Sequence, residues 1–151
     1  MSDLSSGQIP KYANVPNSGV GVLSASATTV TLGSNTNAVT VYTASANGGR
    51  VYSLVANTDD TAAVNVVLFI YSGSSVRPLG IVNVPLSSGN AANVLNVNML
   101  DSAVLKGLPM DNAGNRYIPL AASEILKAGA LANLTALKSC YVHAMGADYG
   151  A

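Results

Sequence analysis

"RVYSLVANTDDTAAVNVVLFIY", residues 50–71, decides how this chain is read. Arg50 to Asn57 alternates β-branched or aromatic residues with polar ones, the period of a strand with one wet face. "NTDDTA", residues 57–62, is a polar turn, because Asp and Asn bond their own backbone and leave a strand easily. Val64 to Tyr71 is then almost continuously apolar, the pattern of a central strand buried on both faces.

The same alternation of strand and turn extends in both directions. Upstream, "VTVYTA" from Val39 is a strand, and "NGG" at 47–49 turns the chain tightly into Arg50. Downstream, "SGSS" at 72–75 leads into "VRPLGIVNVP", where Pro78 lacks a ladder donor and so marks an edge or a bulge. "NVLNVNML" at 93–100 gives partial alternation, and "DSAVLKG" at 101–107 reads as one helical turn capped by Asp101 or Ser102 and stopped by Gly107. "RYIPL", "ILKAGALA" and "SCYVHAMGADY" supply the last strands. A strand and a turn about every eight to twelve residues, with no long helix-period segment, predicts an all-β fold, an antiparallel β-sandwich or barrel.

Residues 1–37 differ in kind. They are rich in Ser, Gly, Asn and Ala, hold two prolines, and carry few large apolar groups. Such a stretch buries too little apolar surface to offset its own ordering. The expected organisation is therefore an extended N-terminal arm over 1–37, ordered against a neighbour, and a β-sandwich domain over 38–151. Within the arm, "TTVTLG" at 28–33 is a candidate short strand.

Composition limits the partners. A chain of 151 residues forms about one domain and buries roughly 68–70% of its unfolded surface. Charged residues are 9% of it, seven basic against seven acidic, for a formal net charge of zero, while 49% is hydrophobic. The basic residues are scattered singly, which does not fit a nucleic-acid footprint. With little electrostatic repulsion between copies, assembly is favoured over a freely diffusing monomer. The N-terminus lacks the basic and apolar regions of a secretory signal, and no apolar run is long enough to span a membrane.

Each candidate for chemistry meets a plainer reading. His143, the one histidine, shares a strand face with Tyr141 and Met145, while Cys140 points to the other face, so the two do not pair. Cys140, the one cysteine, reads as a buried structural thiol. The acids are too dispersed for the opposed carboxyls of a glycosidase. "DNAGN" at 111–115 lacks the terminal Glu of a calcium loop and makes a good tight turn. No cofactor or metal is expected. A sugar-binding module is the stronger rival, but the chain has no Trp and one Phe, which leaves seven tyrosines as platforms. "LKGLPMDNAGNRYIPL" at 105–120 reads as a rigid corner, with Asp111 and Arg116 paired across the turn.

Three stretches carry a resemblance: "GGRVYSLVANTDDTAAVNVVLFIYSGSSVRPLGIVNVP" at 48–85, "LKGLPMDNAGNRYIPLAASEILKAG" at 105–129, and the closing "YVHAMGADY" at 141–149. Together they resemble small structural proteins of tailed bacteriophages, of the capsid decoration or cement type. The resemblance implies a jelly-roll-like sandwich without enzymatic activity, made in the bacterial host cytoplasm and located on the virion surface. It further implies binding to the major capsid protein, self-association as a trimer, and no nucleic-acid or membrane partner. The expected contact residues are Ile9, Pro10, Tyr12, Val15 and Pro16 of the arm and Asp111, Asn112, Asn115 and Arg116 of the polar loop. The alternative is a carbohydrate-binding sandwich of a phage fibre or tailspike.

Overall fold

Val64–Tyr71 is a strand buried almost throughout, because sheet neighbours flank it and packed layers cover both its faces. The computed structural model describes residues 13–24, 30–31 and 34–150. Among these the strands are β1 (Ala13–Ser24), β2 (Val39–Thr43), β3 (Gly49–Thr58), β4 (Val64–Tyr71), β5 (Val76–Val84), β6 (Val97–Asn98), β7 (Ile118–Leu120), β8 (Ile125–Ala130) and β9 (Ser139–Tyr149). The chain is all-β, as its alternation of strand and turn predicts.

Two antiparallel sheets pack face to face. The five-stranded sheet runs β1-β9-β3, with the far side of β3 shared by β7 and β6; the four-stranded sheet runs β2-β8-β4-β5. Successive strands keep changing sheets, so distant parts of the chain become neighbours. Between the sheets lie Leu23, Tyr42, Leu54, Leu68, Met99, Ile118 and Leu126, all fully or almost fully buried. Each large apolar side chain removed from water in this way contributes roughly 1.5–3 kcal/mol. Cys140 lies in the same core, where burial pushes its thiol up to about 12 and leaves it unreactive.

A second, smaller cluster covers the outside of the four-stranded sheet. Val67 and Phe69 point away from the main core, and Val30, with Ala38, packs over them. The Val30 amide donates to the Ala130 carbonyl at 2.9 Å. Gly129 leaves the space that Val30 fills, since a Cβ there would overlap the valine side chain.

The split expected at 37/38 does not fit the described part of the arm. Ala13–Ser24 pairs with β9 along its whole length, and Val30 and Ala38 pack on the chain's own four-stranded sheet. The composition of β1 misleads because two of its glycines have a packing role. β1 crosses close over β2, and a Cβ at Gly19 would overlap the Val41 carbonyl oxygen. Ile9, Pro10, Tyr12 and most of "TTVTLG" lie outside the described residues.

Other expectations are met with adjustments. Pro78 sits at an irregularity of edge strand β5, where the register shifts opposite Leu68 and Phe69. The "NGG" turn forms, with Gly48 at φ 85° and its amide bonded to Ser45, but it carries the chain from one sheet to the other instead of closing a hairpin within one. Residues 101–105 make a single turn whose cap is Asp101, accepting from the Ala103 amide at 2.8 Å.

Candidate interaction face and groove

The outer face of the five-stranded sheet is open and apolar. On β9 the buried Cys140, Val142 and Ala144 alternate with exposed Tyr141, His143 and Met145. On β1, Val22 sits opposite Tyr141, Val20 opposite His143 and Ser18 opposite Met145. On the other side of β9, Val55 of β3 sits opposite His143. Exposure reaches 47% at Val20, 42% at Val22, 41% at Tyr141 and 61% at Met145, so these groups form a patch facing solvent. The Tyr141 and His143 rings stack, with centroids 6.4 Å apart. None of the positions named on this face is Asp, Glu, Lys or Arg.

One end of this sheet is tied by polar groups. Asp148 is buried, with its carboxylate accepting from the Tyr42 hydroxyl at 2.9 Å and from Asn17 Nδ2 at 2.8 Å, so β9, β2 and β1 are joined through one side chain. Burial first, and the bond to Asp148 second, push the Tyr42 hydroxyl well above the ordinary tyrosine range. Gly49 is required beside it, because a Cβ there would overlap Asp148 Oδ1. Arg50 Nε donates to the Tyr149 hydroxyl at 2.7 Å, which with other tyrosine contacts holds the guanidinium above its usual range. The same guanidinium lies 4.6 Å from the Tyr117 ring centre.

The remaining well-placed acids also have structural work. Asp60 is buried and accepts from the Thr135 amide at 2.9 Å, the Thr135 hydroxyl, and the Ala62 amide at 3.0 Å. Desolvation raises its pKa, but these bonds outweigh it and leave the carboxyl below the usual aspartate value. Glu124 pairs with Arg77 and accepts from the Ala121 amide. Among the described residues no group of three or more His, Cys, Asp or Glu is placed to hold a metal ion. Among the described residues no helix is long and apolar enough to cross a membrane.

The contact residues expected from sequence separate in space. Val15 and Pro16 are exposed at one end of edge strand β1. Asp111, Asn112, Asn115 and Arg116 lie in a tight loop closed by a backbone bridge between Met110 and Arg116. The expected Asp111–Arg116 pair does not form. Asp111 instead accepts from the amides of Ala113 and Asn115, each at 2.9 Å, and from Asn115 Nδ2 at 3.2 Å. Those bonds, the Asn115 amide foremost, hold the Asp111 carboxyl below its usual range. An Asp can reach amides two and four residues ahead within one turn, so it closes its own loop and leaves Arg116 for another wall.

That wall belongs to a groove that the sequence did not reveal. On its outer flank β3 pairs with β7 only at Gly49–Val51 and with β6 only at Val55–Ala56. Neither partner reaches Tyr52–Leu54. A groove of about 540 Å³ opens there, floored by Tyr52, Ser53 and Val55, and walled by Asn98–Ser102 on one side and Gly114–Arg116 on the other. Tyr52 is 41% exposed, and its ring is 6.4 Å from that of Tyr117. Arg116 Nη1 is buried and has no hydrogen-bond partner among the described residues.

Comparison with known protein families, characterised proteins and solved structures finds no match for this chain.

Proposed function

We propose that this protein is a non-enzymatic structural component of a bacteriophage virion, which binds the outside of the capsid and stabilises the coat lattice. The observation that carries this reading is the open, uncharged patch on the outer face of the five-stranded sheet, built on Val20, Val22, Tyr141, His143 and Met145. A protein interface needs an apolar centre depleted in charge, and this face has one on a rigid β scaffold. Its lack of fixed charge also lets the face meet a neutral partner without stranding an ion in a dry interface.

The strand order supports the same reading. With β6 and β7 sharing one flank of β3, the two sheets run β1-β9-β3-β6/β7 and β2-β8-β4-β5, an interleaving that supports a jelly-roll reading of the sandwich. That architecture occurs in viral capsid domains and in lectins, so it narrows the classes without choosing between them. The acids favour a structural role: Asp60, Asp111, Glu124 and Asp148 spend their oxygens on backbone amides, hydroxyls or a guanidinium of their own chain. The partners in this reading are the major capsid protein and further copies of this chain, most simply in a trimer.

The test is cosedimentation with shells that lack the protein. Stoichiometric binding by the natural chain, lost on Val22→Asp with the fold intact, is the expected result. Equal binding by natural and Val22→Asp protein, or no binding to shells, rejects the reading.

A further inference from the structure

The groove beside β3 has the chemistry of a ligand site; it borders the apolar sheet face at Ser53 and Val55 but is walled by residues outside that face. Its volume, about 540 Å³, falls within the range of roughly 300–1,000 Å³ typical of small-ligand sites. Its origin is topological. Because β7 and β6 each cover only part of one β3 flank, Tyr52–Leu54 has no strand partner on that flank, where the Leu54 carbonyl is met by the Met99 amide. The gap is therefore a feature of the sheet itself, held open by paired strands at both ends.

The lining selects a class of ligand. One carboxylate, Asp101, and one guanidinium, Arg116, are among the lining residues, so the groove has no net charge to attract an anion or a cation. The other polar groups are the amides of Asn98 and Asn115 and the hydroxyls of Tyr52, Ser53 and Ser102. These side chains suit a partner that presents many neutral hydroxyls, each both donor and acceptor. A half-exposed aromatic ring completes the set. Tyr52 leans on Tyr117, which is held in turn under the Arg50 guanidinium, so the ring is braced from behind and offers a surface for stacking.

Arg116 adds an independent observation. Its Nη1 is shut away from solvent with no acceptor among the described residues, an unfavourable state for a guanidinium nitrogen. An oxygen entering the groove beside it, with a small rotation of the side chain, supplies the missing acceptor.

We propose that this groove binds a neutral oligosaccharide, with Tyr52 as the stacking platform and Asp101, Asn115 and Arg116 as the hydroxyl-binding groups. The proposed capsid contact centres on the adjoining β1–β9 strands, so Val22→Asp and Tyr52→Ala separate the two activities.

The test is an NMR titration of the full chain with maltohexaose, cellohexaose and mannohexaose, and with a sulfated hexasaccharide as a charged comparison. The expected result is a saturable shift with at least one neutral probe, confined to residues 52–55, 98–102 and 114–117. Affinity is expected to fall about tenfold or more in Tyr52→Ala and to stay unchanged in Tyr141→Ala. Should Tyr52→Ala disturb the fold, Ser102→Trp, which fills the mouth from an exposed position, is expected to block binding with the spectrum otherwise preserved. No saturable shift with any neutral probe up to about 10 mM overturns the proposal. So does binding that maps elsewhere, binding that survives in both groove variants, or tighter binding of the sulfated probe.

Discussion

The two outer faces of this sandwich start from similar material and end differently. On the four-stranded sheet, Val67 and Phe69 would be exposed, but Val30 and Ala38 of the same chain fold over them and reduce their exposure to 0% and 1%. On the five-stranded sheet, Val20, Val22, Tyr141 and Met145 have comparable apolar bulk, and no described segment covers them. Among the described residues, a covering segment thus seals one face and leaves the other open. Val30 gains its seat because Gly129 leaves room for it, whereas the centre of the open face carries side chains at Tyr141, His143 and Met145 that project from the sheet.

The largest effect belongs to the sealed face. Phe69→Ala removes a buried ring from a small cluster and is expected to cost about 3–5 kcal/mol, read by chemical denaturation. An effect below about 1 kcal/mol means that the outer cluster is not packed as described. Gly129→Ala is next. Its Cβ overlaps Val30, so the covering segment must shift, at a cost of about 1–3 kcal/mol and with faster proteolysis around residues 30–38. Unchanged proteolysis argues that the cover does not depend on that seat.

A third test uses acid and touches neither face. Asp60 joins the β3–β4 turn to the segment before β9, and its carboxyl titrates below the ordinary value of 3.8. A group with a lowered folded pKa stabilises above its unfolded value and loses that contribution as pH falls through the folded one. Stability is therefore expected to be flat near neutrality with respect to this group and to decline below about pH 4, less steeply in Asp60→Asn. Identical acid profiles for the two proteins contradict the assigned bonds. The smallest effect belongs to the open face. Met145→Ser and Tyr141→Ser are each expected to change stability by no more than about 0.5 kcal/mol while altering assembly. A large stability loss there shows that the face is part of the monomer's own packing.

Much of this was legible in the sequence because the signals were local. The apolar run 64–71, the alternation 139–149 with Cys140 inward and His143 outward, and the break at Pro78 each follow from residues within one strand. What escaped was set by residues far apart. β1 reads as a loose arm because its glycines look like flexibility, whereas Gly19 answers to the Val41 backbone across the sandwich. "NGG" reads as a tight turn between strands, and nothing nearby states that the two strands belong to different sheets. Asp111 reads as a partner for Arg116 because charge is visible in a sequence and the reach of an Asp to its own loop amides is less so. The groove depends on where β6 and β7 stop along β3, a matter of register between segments about 40 positions removed for β6 and about 70 for β7.

The most direct measurement is methionine oxidation footprinting of the protein free and bound to shells. Met145 reports on the open face and is 61% exposed, Met110 beside the polar loop is 64% exposed, and Met99 is buried in the core. The account predicts that Met145 becomes protected on the shell, while Met110 oxidises as before and Met99 stays unreactive in both states. Equal oxidation of Met145 in the free and bound protein contradicts it.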